Sequence, residues 1–135
     1  MKKIALALAA LSLMVAGTLL ANHHTYVTAM KGVGGLMGST GKALEGGDMA
    51  AVETNAAALN QHLTVMAAWW EGRGSSAAFK LAEAAANSAD AMGKAAGSGD
   101  GDAAKAAFGE IRGSCKTCHD AHRVKNDDGS WGFKD

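Results

Sequence analysis

Phe108-Gly109-Glu110-Ile111-Arg112-Gly113-Ser114-Cys115-Lys116-Thr117-Cys118-His119-Asp120-Ala121-His122 is the stretch from which the rest of the chain is read. With Ala104 ahead of it, the positions Ala104, Phe108, Ile111, Cys115, Cys118 and His122 recur four, three, four, three and four residues apart. That spacing is the inward seam of a bundle helix, so the stretch predicts a last helix starting near Asp100 with both cysteines on its inner side. The chain has no other cysteine. Two thiols three residues apart with an imidazole immediately after them form a C-x-x-C-H run, the attachment pattern for haem c. In such a run the thiols add to the two vinyl groups and the histidine, here His119, ligates iron from the proximal side.

Other chemistry is open to the same residues. A zinc site would need further ligands at comparable spacing, and His23, His24, His62 and His122 form no second paired motif. A thioredoxin-type redox pair belongs in a βαβ unit, and the chain shows no strand pattern. A disulfide across two residues would close too short a loop to restrain the unfolded chain much. Attachment of one covalent haem c is therefore the leading reading of Cys115, Cys118 and His119.

Upstream, three more apolar stripes can be traced. Phe79, Ala82, Ala86, Ala89 and Met92 predict a helix from Ser75 or Ser76 to about Ala96, broken by Gly97-Ser98-Gly99. Met49, Val52, Ala56, Leu59, Leu63, Met66 and Trp70 alternate three and four apart in another, with Asp48 as N-cap after Gly46-Gly47 and with Gly72 and Gly74 at its end. The first stripe, Tyr26, Met30, Val33, Met37 and Leu44, predicts a helix from about His24 to Glu45. Its five interior glycines, Gly32, Gly34, Gly35, Gly38 and Gly41, cost roughly 0.5–1 kcal/mol each relative to alanine. Such a cost points to a packing reason, either a close helix or clearance for a flat ring; a loop over part of the segment is the competing reading. Proline is absent and alanine abundant, so the expected fold class is all-α, an antiparallel four-helix bundle. A porphyrin would add a large apolar body to a core of mostly small side chains.

Met1 to Ala21 has a basic start at Lys2 and Lys3, an apolar run and small residues after it, which reads as a secretory signal cleaved after Gly17 or Ala21. The run is marginally long enough to be an uncleaved anchor instead. Cleavage at Ala21 leaves residues 22–135 as one domain, with 11 of the 13 basic residues against 13 acidic ones, a formal charge of −2. No basic groove with interleaved aromatics is present, so nucleic acid is not an expected partner. Export to the periplasm agrees with the attachment motif, and no stable membrane insertion is expected after cleavage.

The chain resembles the class II c-type cytochromes, the cytochromes c prime and their low-spin relatives. The resemblance is carried by Ala106-Ala107-Phe108-Gly109-Glu110-Ile111, by Cys115 through Arg123, and more weakly by Met30-Lys31-Gly32-Val33-Gly34-Gly35-Leu36-Met37-Gly38. It implies a left-handed up-down-up-down four-helix bundle with haem between helices, and it extends over nearly all of residues 22–135. It also places Met30 at the distal position and matches Arg123 to an arginine along the proximal face. Arg123 is equally suited to the helix macrodipole. Three departures stand out. Tyr26 occupies the place of an arginine that lies near a haem propionate. The segment Trp69 to Ser75 is short and lacks the usual proline; Arg73 there is expected to be a solvated loop arginine, with replacement of the missing propionate partner as the alternative reading. His122 stands where an aromatic residue is usual.

The sixth coordination position separates the functions that the resemblance implies. Ligation by Met30 gives a low-spin His/Met centre whose thioether raises the potential, as expected of a one-electron carrier serving redox partner proteins. An open, five-coordinate iron would instead bind nitric oxide or carbon monoxide. His62 is the mid-helix rival to Met30, while His23 and His24 are expected in solvent and Met37 and Met66 in the core. No distal histidine and arginine pair is visible on the first helix, so no enzymatic role is expected. The glycine-rich first helix is a candidate homodimer face. Lys116 and Thr117 are expected to face away from the ring, and Trp131 and Phe133 to pack back on the bundle.

Overall fold

The computed structural model describes residues 23–134; the predicted signal and its cleavage sites lie outside the described residues. Four helices follow one another: α1 (His23–Gly46), α2 (Met49–Gly72), α3 (Ser76–Gly97) and α4 (Gly101–His122). One turn design joins them three times. At the first turn Gly47 adopts φ +73°, a left-handed conformation that costs other residues energy, and its N–H reaches Leu44 O at 3.4 Å. The next N–H, of Asp48, returns to Ala43 O at 2.9 Å, completing a Schellman motif. Asp48 then caps the following helix, its carboxylate accepting from the Ala51 N–H at 3.0 Å. The same pair of backbone bonds recurs at Gly74-Ser75 and Gly99-Asp100, and Asp100 accepts from the Ala103 N–H at 2.9 Å. Turns this short make consecutive helices antiparallel neighbours.

The predicted stripes form the core. Val52, Ala56, Leu59, Leu63, Met66 and Trp70 of α2 are buried, as are Ala82, Ala86, Ala89 and Met92 of α3 and Ala104, Ile111 and Cys118 of α4. Small residues let α2 and α3 come close: a methyl group added at Gly93 would meet Ala56 Cβ at 3.3 Å. Asn60 ties the same pair together by donating to Ala86 O at 2.9 Å. On α1 the seam differs from the expected one. Thr40, passed over as polar, fills the gap between Met37 and Leu44, and its hydroxyl is buried without a hydrogen-bond partner.

α1 is helical throughout its glycine-rich stretch, and its glycines have unlike surroundings; a methyl group at Gly41 would make ordinary contact with the Phe108 ring at 3.7 Å. A methyl group at Gly32 would lie 2.6 Å from His62 Nε2, so this glycine makes room for an imidazole of α2. Nothing lies within 4 Å of the corresponding positions at Gly34, Gly35 and Gly38.

The expectation of a strand-free chain needs correction. Beyond α4, β1 (Arg123–Lys125) and β2 (Trp131–Phe133) form an antiparallel ribbon pairing Arg123 with Phe133 and Lys125 with Trp131. Three-residue strands are too short for an alternating pattern to show; the cue was the turn sequence Asn126-Asp127-Asp128-Gly129. In that turn Gly129 adopts φ +81°, and Asp128 accepts from the Ser130 N–H at 2.9 Å. Lys134 N donates to His122 O at 3.0 Å, pinning the ribbon to the end of α4.

Gly34→Ala is expected to raise stability by about 0.5–1 kcal/mol, because it gains helix propensity in open space. Gly32→Ala is expected to gain less than Gly34→Ala, because the outer end of the half-exposed His62 ring must swing aside and offsets the propensity gain. Urea unfolding of the two variants beside the parent measures both.

Candidate cofactor site

α1 packs along α2 but scarcely meets α4, so the bundle is unclosed on one side. The predicted site residues line that opening. At the end near the ribbon, Tyr26 and Met30 of α1 face Cys118, His119 and His122 of α4 across a cavity of about 370 Å³, with Trp70 and Phe133 among its walls. A narrow void of about 20 Å³ lies deeper, bounded by Met30, Cys115, Cys118 and His119 together with Leu63 and Met66. Further along the seam, Met37 and Gly41 of α1 and Phe108 and Cys115 of α4 line a wider groove.

Burial accounts for the electrostatics. It pushes the free Cys115 and Cys118 thiols up from their ordinary range, and the neighbouring Cys115 adds to the effect at Cys118. It also lowers His119, with the Arg123 cation adding to the effect, so the imidazole favours its neutral, metal-binding form. Lys116 and Thr117 point outward as expected, Lys116 pairing with Asp120 and Thr117 Oγ1 donating to Gly113 O at 3.0 Å.

An aromatic cluster closes one end of the cavity. Tyr26 lies 4.3 Å from Trp69 and 5.0 Å from Phe133, measured between ring centroids, and Trp70 stands edge-on to Trp69 at 4.8 Å. Phe133 therefore packs back as expected, while Trp131 stays 55% exposed with the Arg123 guanidinium 3.9 Å above its ring. Arg123 has left the helix, its backbone extended at φ −106° and ψ 137°, although its N–H still reaches His119 O. Arg73 lies 4.8 Å over the Trp69 ring and is not among the residues lining the cavity. His62 lies against α1 at Gly32, apart from the residues around Met30 and His119. The structure adds Trp70 and Phe133 to the site. Trp70 had been read only as a seam residue, and Phe133 reaches the site through a ribbon that periodicity does not reveal.

The donor set fits a haem and not a bare ion. Two thiols, an imidazole and the thioethers of Met30 and Met66 border one void whose other walls are apolar apart from Ser114, a combination suited to thioether attachment and axial ligation. Among the described residues, no group of three or more His, Cys, Asp or Glu side chains is placed to hold a metal ion, which disfavours the zinc reading.

Burial pushes the Tyr26 hydroxyl from its ordinary 10.0 up to about 12, with the nearby Trp70 indole offsetting part of the effect. As pH rises past about 10 the unfolded chain therefore loses this proton first. Tyr26's contribution to stability is complete below that pH and is lost by about 12. Urea unfolding at about pH 9 and about pH 11 is expected to show this fall, reduced in Tyr26→Phe. Tyr26 is the only tyrosine, so tyrosinate absorbance reports its titration directly.

Residues 73–123 match the family model described as Cytochrome C'. The matched segment contains α3 and α4 with the C-x-x-C-H run; α1, with Tyr26 and Met30, and the ribbon beyond Arg123 lie outside it. The match is thus narrower than the resemblance read from the residues. No curated protein matches the chain. The match of the last two helices of a four-helix chain to this model, with the attachment run of the final helix on the unclosed seam, supports a place in the class II cytochrome c' family.

Proposed function

We propose that this chain is a periplasmic one-electron carrier holding one haem c, with thioethers at Cys115 and Cys118, His119 as proximal ligand and Met30 as distal ligand. The observation that carries the reading is the shared void: Met30 comes from α1, His119 from α4, and both border it with the two cysteines. A bound haem c supplies an iron that takes up and releases one electron. The chain's own residues set the conditions. Met30 offers a thioether, which favours the reduced state and raises the potential. Leu63 and Met66 keep the void apolar, and the rigid seams of α2 and α3 hold the two ligand-bearing helices in place through either redox state.

Tyr26 and Arg123 border the larger cavity and act on the carboxylate edge of the ring. The protein is not an enzyme on this reading, since electron transfer requires no acid, base or nucleophile. Its partners are redox proteins that approach the unclosed α1–α4 side. Among the described residues no helix is long and apolar enough to cross a membrane.

Visible spectra of the purified protein in both oxidation states, with and without carbon monoxide, test the assignment. The carrier gives a low-spin spectrum with a sulfur-to-iron charge-transfer band that disappears in Met30→Ala. A high-spin spectrum with ready carbon monoxide binding in the unaltered protein overturns it and favours a five-coordinate protein that binds nitric oxide or carbon monoxide.

A further inference from the structure

Two buried nitrogens in the larger cavity have no partner at full hydrogen-bonding geometry: Nε1 of Trp70, whose N–H lies close enough to the Tyr26 hydroxyl to act on it but not to bond it well, and Nδ1 of His122. Leaving a buried polar group unsatisfied costs about 1–3 kcal/mol, and native structures rarely do so twice at one place. The two rings are neighbours, with centroids 5.4 Å apart, and both line the cavity between α1 and α4. Trp70 is only 1% exposed. The remaining orphan among the described residues, the Thr40 hydroxyl, borders none of the cavities along this seam.

We infer that the Trp70 indole N–H and the His122 Nδ1–H form a binding site for the carboxylate groups of the bound haem. The inference rests on the proposed haem attachment and concerns the opposite, polar edge of the ring. An indole nitrogen can only donate, so its partner must be an acceptor, and His122 donates from Nδ1 in the matching tautomer. A carboxylate accepts from both, and hydrogen bonds to a charged acceptor are about twice as strong as neutral ones. The cavity also suits an anion: Lys31 and Arg123 border it, and no aspartate or glutamate does. Trp70 is packed against Tyr26 and Trp69, the His122 ring lies against Trp70, and the backbone at His122 is held by the bond from the Lys134 N–H to its carbonyl oxygen. The site thus supplies two directed N–H donors beside the Lys31 and Arg123 cations.

Resonance Raman spectroscopy and redox titration of the haem-loaded protein test this in His122→Phe and Trp70→Phe. Each variant is expected to shift the propionate bending band. Each is also expected to move the ferric–ferrous balance about tenfold toward ferric, a fall of about 59 mV for one electron, because the carboxylate charge is less well satisfied. His122→Asn, which keeps a donor near Nδ1, is expected to retain both parent values. His122→Phe keeps an aromatic ring against Trp70 and decides the matter alone if Trp70→Phe does not fold. Haem-loaded variants with an unmoved propionate band and potential overturn the inference and leave haem attachment standing. A parent protein whose mass shows no haem on Cys115 and Cys118 overturns the attachment itself, and the inference falls with it.

Discussion

Incomplete closure between α1 and α4 is the constraint on which the rest of this structure depends. α2 meets α3 and α3 meets α4 through alanine and glycine faces that bring backbones close, and α1 is laid along α2. Closing the ring of four helices would require bulky side chains on the inner faces of α1 and α4. Those faces instead carry Met30, Met37 and Gly41 on one side and Cys115, Cys118 and His119 on the other. An apolar slot with two walls of sulfur and imidazole is the result. Its walls are rigid because three identical Gly-cap turns and two close-packed helix pairs leave each helix little freedom to slide.

The open seam has two unlike ends. Toward the C-terminal end of α1 it is a wider groove bordered by glycines, by Met37, Leu44 and Phe108, and by charged residues. At the α2–α3 turn it is closed by Tyr26, Trp69, Trp70 and Phe133, whose ring centroids lie 4.3 to 5.9 Å apart; four of the six pairs meet edge to face, an arrangement in which aromatic rings attract, and two are tilted. The ribbon is what completes this end. Arg123 and Lys125 lie on the same face of it as Trp131 and Phe133, so one strand pair presents cations and aromatics together. A cavity that is mostly hydrocarbon thereby gains a polar corner.

Much of this was legible in the residues because helices, turns and attachment chemistry are local. Three- and four-residue spacing named the seams of α2, α3 and α4 nearly residue by residue, and Asp48 and Asp100 announced their own caps. Cys115, Cys118 and His119 are adjacent in sequence, so their chemistry could be read without a fold. The misses share a cause as well. Thr40 was passed over because apolarity was used to infer burial, yet a helix position faces inward by geometry whatever its side chain. The ribbon was missed because three residues are too few for alternation to show. Gly32 looked like Gly34 until the His62 ring was placed beneath it.

The sequence by itself therefore determined the local structure and the donors carried by α4: four helices, their caps and the C-x-x-C-H run. Only the tertiary structure decided what those donors face. Met30 is 89 residues before His119 in the chain, and nothing local to either says that they border one void. Helices α2 and α3, packed through their small residues, set that juxtaposition, and the ribbon brings Phe133 to Tyr26 from the other end of the domain. Which groups converge on a cavity depends on how whole helices are spaced by side chains that never touch it, and periodicity along one chain does not record that spacing.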